Sequence, residues 1–574
     1  MNWWIYIILA LAFTACEGKE GISRNSQENA AVSGTLSSGD SPKNALGIAN
    51  LPSEKVYEVK QVIQHFIESK EPGEKYHIDD RKLYSSEVLP RAYMENVFSP
   101  LWLTVQGDSL IKAAQMLQYM DEIEYHGFTK YDYHYTPIKT LYHKLAHKNN
   151  TEASAVDLAY LDIYLTDAFL LLSSHLYNGK YDPESMEIQY GIQRGKPELK
   201  LDHKLFKMLS YDEVNDFMPI FYPKSHGYEN MVAKAKSLKD KINKDFTISL
   251  PRNYDFGSIF KDTIMRARIL EKLYLLEYIK DSSVIATIDS TDFSTVIKMF
   301  QFNHGLNCDG EIGAHTFEAI NTPLKDRLYQ LYVNMERLRW LPEKENEYRV
   351  VVNIADYTMD LLDGRDTLIH MRTIVGRNFR RTPVFDAKMT YLVFSPTWTV
   401  PPGILRNDVL PAVAKDVGYL AKNNMIIIDR SGSTVSPSAI DWQKARTGSF
   451  PYTIRQQPGD NNALGRVKFM FPNRHSVYLH DTPAKNLFER DERMFSSGCI
   501  RIEKPFELAR ILLNDSLNWG NEQIRAAMSR NTEQTVVLRR PVNVYIYYLT
   551  AWGGDHFRKD VYGRDESKKK LFFP

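Results

Sequence analysis

The chain has 574 residues, with 72 Lys and Arg against 71 Asp and Glu for a formal charge of +1. That length exceeds one ordinary core and implies three or four folding units, while the balanced charge excludes recruitment of nucleic acid or an acidic membrane by a global field. Three cysteines, Cys16, Cys308 and Cys499, are too few for a disulfide framework, so chemistry must come from local sites.

Met1 to Ala15 forms one apolar run containing Trp3, Trp4, Ile5, Ile7, Ile8, Leu9 and Leu11, and it ends in Thr14-Ala15 before Cys16. It is shorter than the roughly 20 apolar residues of a transmembrane helix and reads as an export signal over residues 1–16. The junction Phe13-Thr14-Ala15-Cys16 resembles a bacterial lipobox, in which the Cys16 thiol is diacylated; a plain secretory signal is the other reading. If Cys16 carries lipid, two thiols remain. A cysteine that does chemistry must stay unpaired, so no disulfide is expected. Residues 17–50 are rich in Ser, Gly, Asn and Ala and cannot bury a core, which predicts a flexible tether.

Over 51–280 the apolar residues fall at three-to-four spacing, as in Ser109 to Met120 and Ala155 to Leu172, and predict an α-helical scaffold. Over 281–342, Val296, Ile297 and Phe300 share one helical face before the turns Gly305-Leu306 and Asp309-Gly310. Gly305 suits a helix C-terminus with positive φ, Gly310 closes a turn, and Thr316 opens the next helix. Phe302, His304, Gly305, Leu306, Asp309, Gly310, Ile312, Gly313 and Thr316 together resemble the small three-helix peptidoglycan-binding domain. Cys308 is expected to be a partly buried thiol.

From Glu347 the period changes to two. Tyr348 to Ile354, Met359 to Leu362, Leu368 to Val375 and Met389 to Phe394 read as strands joined by hairpin signals such as Asp363-Gly364, opening a β-rich catalytic domain over 343–574. Between about 405 and 466 the alternation weakens, Pro, Gly and polar residues accumulate, and an irregular lid carrying Trp442 is expected. Strands return at Val467 to Phe471 and Ser476 to Leu479. Lys504 to Leu513 is helical, opened near Pro505. The fold class is therefore α+β and multidomain.

A lone cysteine before Ile is ordinarily a small buried hydrophobe. In Ser496-Ser497-Gly498-Cys499-Ile500-Arg501, however, Gly498 permits a tight turn in which the Cys499 N–H faces a developing oxyanion. His480 closes a strand upstream and is the natural base, accepting the thiol proton and stabilising the charge pair that results. Asp481 has no triad role, because adjacent strand residues point to opposite faces.

Tyr478-Leu479-His480-Asp481-Thr482-Pro483 with Phe495-Ser496-Ser497-Gly498-Cys499-Ile500-Arg501 closely resembles the L,D-transpeptidases, with a YkuD-like catalytic domain of the large multidomain, YcbB-like type. The likeness extends to Asn334-Met335-Glu336-Arg337, Val375-Gly376, Thr382-Pro383, Trp398, Pro401-Pro402, Gln457-Pro458-Gly459 and Lys468-Phe469. Many members carry His where this chain has Ser497, which limits the role given to Ser497.

The resemblance implies that Cys499 attacks the carbonyl joining the diamino acid to D-Ala in a stem tetrapeptide, forming a thioester. The side-chain amine of a second stem then resolves it into a 3→3 cross-link, with His480 moving the protons. It further implies that Tyr478 and the Cys499 amide bind the oxyanion, that Arg501 holds the turn or a substrate carboxylate, and that carbapenems acylate Cys499. Taken alone, Arg501 fits a structural salt bridge better than a substrate contact.

The resemblance leaves the acceptor open. Water would make an L,D-carboxypeptidase, and a protein amine a wall-anchoring transferase. A non-catalytic peptidoglycan-binding lipoprotein is the rival outside enzymes, although the intact setting of Cys499 and His480 opposes it. No cofactor is expected, and no metal, since no helix carries the paired His of a zinc hydrolase. The expected location is the cell envelope, as a periplasm-facing lipoprotein held by its N-terminal lipid.

Overall fold

A computed structural model describes residues 51–565 and 568, apart from 72, 104–109, 147–151, 187–189, 194–195, 225–226, 344–345 and 515–517. The export signal, Cys16 and the tether lie outside the described residues.

Helix Ala155–Asn178 is buried along almost its whole length, because Ser53–Glu68, Tyr135–Ala146 and Leu201–Leu209 pack around it. An all-round apolar helix needs such company. Its two interior carboxylates are fully partnered. Asp162 accepts from the Leu101 and Trp102 amides and the Tyr93 hydroxyl, and Asp167 accepts from the Tyr84 and Ser85 amides and meets His134 Nε2 at 2.7 Å.

Helix Leu324–Trp340 packs on Tyr228–Lys241 and links both halves of the chain. Arg339 is fully buried; its guanidinium donates to Glu336 at 2.7 Å, the His126 carbonyl at 2.6 Å and the Tyr228 hydroxyl at 2.7 Å. Facing the other half, Asn334 donates to Thr550 Oγ1 and Arg337 to Asp565, each at 2.6 Å. A buried pair of this kind specifies geometry more than it stabilises.

The helices between these halves are Thr263–Leu275, Ser290–His304 and Ala314–Asn321. Of these, Thr263–Leu275 packs against Ala314–Asn321. Gly305 caps Ser290–His304 with φ 66°, and the Gly310 N–H, at φ 79°, donates to Gln301 Oε1 at 2.9 Å. Thr316 sits inside the next helix, buried, and its hydroxyl accepts from Gln301 Nε2 at 3.2 Å.

The β-rich half is a closed barrel of eight strands: β1 Tyr348–Asn353, β2 Thr358–Asp363, β3 Asp366–Gly376, β4 Val384–Phe394, β5 Val467–Met470, β6 Leu479–His480, β7 Ile500–Ile502 and β8 Gln534–Tyr547. Around the ring the order is β5-β6-β7-β3-β2-β1-β8-β4, and β4 pairs back to β5. Closure leaves β4 uncovered by β5 only ahead of Tyr391. Outside the ring, Tyr190–Gly191 pairs in parallel with Val384 and Phe385 of β4, so chain from the helical half lies along the barrel.

The insertion differs from the irregular lid expected. Beginning near Trp398, it folds as a small unit with its own four-stranded sheet, Thr434–Val435, Met425–Ile428, Thr453–Gln456 and Trp398–Thr399 in that order. Its own core contains Val400, Val413, Leu420, Ile427, Trp442 and Ile454. Short strands and helices punctuated by Pro and Gly hide this regularity from a periodicity reading. Among the described residues no helix is long and apolar enough to cross a membrane.

Candidate active site

Strands β6 and β7 are parallel neighbours, with Leu479 opposite Ile500 and His480 opposite Arg501. Just before them the Ile500 N–H donates to the Tyr478 carbonyl at 3.1 Å. Alternation sends Leu479 and Ile500 into the core, where both are fully buried. It therefore brings Tyr478, His480, Cys499 and Arg501 onto one face. The Tyr478 and His480 rings lie 5.7 Å apart.

Cys499 is a half-buried thiol outside any disulfide among the described residues, and Cys308 is likewise half-buried. The Cys499 Sγ–H points to the Ser476 carbonyl at 3.8 Å, and Ser476 itself holds a left-handed φ of 54°. Burial pushes the Cys499 thiol up, opposed by the backbone N–H and hydroxyl of Tyr478 and by the charge of Arg501. Burial likewise pushes the Tyr478 phenol up.

His480 is buried, and its Nδ1 meets the Asp481 carbonyl at 2.5 Å. Burial first, then Arg501, push its pKa down to about 3, against the Asp481 and Leu464 carbonyls that favour the charged ring. A cysteine pushed up beside a histidine pushed down rests as neutral thiol and neutral imidazole. Burial is the first cause in both and opposes the charge pair expected at rest, whereas Arg501 favours the thiolate and disfavours only the imidazolium.

Gly498 carries φ 114°, a conformation that disfavours any side chain. The turn is braced from several directions. The Gly498 N–H donates to Ser496 Oγ at 3.1 Å, and its carbonyl accepts from Thr382 Oγ1 at 2.9 Å. Thr382 Oγ1 in turn accepts from the Gly376 N–H at 3.0 Å, and the Tyr562 hydroxyl donates to the Gly376 carbonyl at 2.6 Å. The Cys499 N–H has no acceptor among the described residues, which leaves it available to an oxyanion.

Ser497 is exposed and its Oγ accepts from Arg380 Nη1 at 2.9 Å. Arg501 forms no salt bridge among the described residues, and its Nε is buried without a partner, so the structural ion pair considered for it is corrected. Trp442 lies within the insertion, as expected. It is buried in the insertion's own core and donates from Nε1 to the Pro437 carbonyl at 3.0 Å. The Asp481 carboxylate holds the base of the insertion, accepting from the Arg466 N–H at 2.8 Å and from Lys485 at 2.6 Å.

Arg377, Arg380, Ser476 and Tyr562 received no role from the sequence. Thr382 was visible only as part of the Thr382-Pro383 likeness, since nothing along the chain announces its bond to Gly498.

A thiol and an imidazole thus lie on adjacent strands of a closed barrel, with an N–H at the thiol that has no acceptor among the described residues. Residues 347–543 match the model of the YkuD L,D-transpeptidase catalytic domain, and residues 87–234 match that of the Scaffold domain. The chain thus carries an L,D-transpeptidase catalytic domain beside a scaffold domain. It is also 37% identical over 239 residues to a Haemophilus influenzae protein named "Putative L,D-transpeptidase", covering 41% of this chain and 48% of that one. The chain spans about half the length of that curated relative.

Proposed function

We propose that the chain is a peptidoglycan L,D-transpeptidase that forms 3→3 cross-links through a thioester on Cys499. The observation that carries this reading is the common face of Tyr478, His480, Cys499 and Arg501 on the β6–β7 pair. The resting pair being neutral, proton transfer to His480 accompanies attack of sulfur on the donor carbonyl. The C–N bond to D-Ala breaks, the nitrogen takes the proton from His480, and D-Ala leaves. The oxyanion is held by the Cys499 N–H, with the Tyr478 hydroxyl beside it. The side-chain amine of an acceptor stem then attacks the thioester, His480 takes its proton, and the thiol is restored.

The proposal includes export and lipid anchoring through Cys16, a periplasm-facing position in the cell envelope, and peptidoglycan binding by the three-helix unit. It also includes carbapenem acylation of Cys499, since a strained lactam carbonyl meets the same nucleophile and N–H. Mass spectrometry of products from purified tetrapeptide muropeptides tests the activity. Cross-linked dimer with D-Ala release is expected; tripeptide alone makes the protein an L,D-carboxypeptidase, and transfer only to a protein amine makes it a wall-anchoring enzyme. No D-Ala release overturns the reading. Cys499→Ala removes release and the carbapenem adduct, and full activity in that variant overturns the nucleophile.

A further inference from the structure

Helices Ser290–His304 and Leu324–Trp340 and the segment from Phe557 to Asp565 enclose a cavity of about 540 Å³, a size that suits a small ligand. Two of its lining side chains, His304 and Arg327, are only 7% and 4% exposed, and their Nε2 and Nε have no partner among the described residues. The His304 ring stacks on Phe300 with centroids 3.8 Å apart and lies parallel to Phe557 at 5.8 Å, while Arg327 sits over the Phe557 ring at 4.9 Å. His304 Nδ1 meets the Phe300 carbonyl at 2.8 Å and therefore carries the proton. Burial, then the nearby Arg327, keep the ring neutral. Nε2 is thus an acceptor, and Arg327 Nε is a donor.

A hydroxyl satisfies both at once, because it donates and accepts; a carboxylate only accepts, and an ammonium only donates. Carboxylates outnumber cations along the wall, and the exposed Glu318 and Asp491 make no ion pair among the described residues, which disfavours an anion. Phe557 and Tyr357 add aromatic surface. An uncharged sugar has the matching chemistry.

The same wall reaches the nucleophile turn by two routes. Arg558 lies against Gly305, where a Cβ would meet its side chain, and donates to the Asn303 carbonyl at 2.6 Å. Further along that segment the Tyr562 hydroxyl donates to the Gly376 carbonyl at 2.6 Å. Lys559 pairs with Glu492 at 2.8 Å, and the chain runs on into strand Met494–Ser496, which pairs with Val375 and Gly376. The Ser496 carbonyl there accepts from the Arg377 N–H at 3.0 Å. A ligand that fixes Phe557 and Arg327 restrains both supports, and order imposed at one site lowers its cost at the other.

We propose that this cavity is an effector site for an uncharged sugar unit of a glycan strand, and that its occupancy steadies the turn carrying Cys499. The effect on turnover rests on the acyl-transfer reading above.

Calorimetry of the parent protein with a neutral N-acetylglucosamine oligomer tests the site. Saturable binding is expected, and His304→Phe, which keeps a stacked ring but removes the acceptor, should weaken it about tenfold without lowering the melting temperature. No saturable binding overturns the site, and displacement of the oligomer by a free tetrapeptide stem overturns the sugar assignment. At saturating oligomer, hydrogen exchange at the Gly376 amide should slow and kcat for D-Ala release should rise, each roughly fivefold. Tyr562→Phe should keep the binding and lose both responses. Binding that alters neither exchange nor an existing release overturns the coupling. Slowed exchange without D-Ala release under any condition supports the effector site and overturns acyl transfer.

Discussion

Arg380 joins the insertion to the nucleophile turn: the Nη1 that donates to Asp408 Oδ2 at 3.0 Å also donates to Ser497 Oγ at 2.9 Å. Asp408 lies in the π-helical segment Leu405–Val409, a type of irregularity that recurs at functional sites. Because the insertion has its own core, it is expected to move as a body, with this contact as one of its attachments.

Asp408→Asn loosens that attachment. The pair is partly exposed, so the effect is modest, about two- to fivefold. A carbapenem adduct on Cys499 should be hydrolysed faster by that factor, followed as intact mass over time, and proteases should cut within 405–466 more readily. Unchanged adduct lifetime discards the attachment as a control on access.

Thr382→Val removes the hydroxyl between the Gly376 N–H and the Gly498 carbonyl, leaving both buried groups unpaired. A loss of about 1–3 kcal/mol is expected in urea unfolding. The rate constant kcat should fall more than KM rises, because the turn that aims Cys499 loses its support. Thr382→Ser keeps the hydroxyl and should recover most of both, and failure to recover would point to the methyl group instead.

Thiol reactivity follows from the neutral resting pair. With Cys499 pushed up and His480 down to about 3, iodoacetamide should react slowly at pH 7 and accelerate only in the alkaline range. His480→Ala should change that alkylation profile little while abolishing turnover, because the base acts when substrate takes the charge. A plateau of rapid alkylation between pH 5 and 7 would establish a resting thiolate and sink the assignment.

Acid stability carries the same signature. His480 and His126, both buried, have their pKa pushed down from 6.5 to about 3. The unfolded chain therefore binds their protons first: stability is full above pH 6.5 and falls as pH drops toward 3, by about 1.4 kcal/mol per pH unit for each group. Urea midpoints at pH 7, 6, 5 and 4 check this, and His480→Ala should remove one proton's share of the slope.

The common face of Cys499 and His480 was legible because the two residues sit in short contiguous motifs whose strands pair directly. The barrel strands were legible through their period of two. Ser476 was read as strand, yet it adopts φ 54° to present its carbonyl to the thiol, a tertiary demand that no propensity expresses. The surroundings of Arg501 were not legible, because whether an arginine finds a carboxylate depends on contacts distant in sequence. Arg380 reaches Ser497 and Asp408 across just such separations.

The pairing of Tyr190–Gly191 with β4 has a consequence for how the chain can be divided. A fragment cut at the start of the barrel would leave Val384 and Phe385 with unpaired backbone groups along an open edge, a template for association with other copies. During synthesis the covering strand emerges well before the strand it covers, so the edge can be occupied as soon as it forms. Shortened versions that begin near residue 343 should therefore be prone to aggregate, even with every residue of the chemistry present.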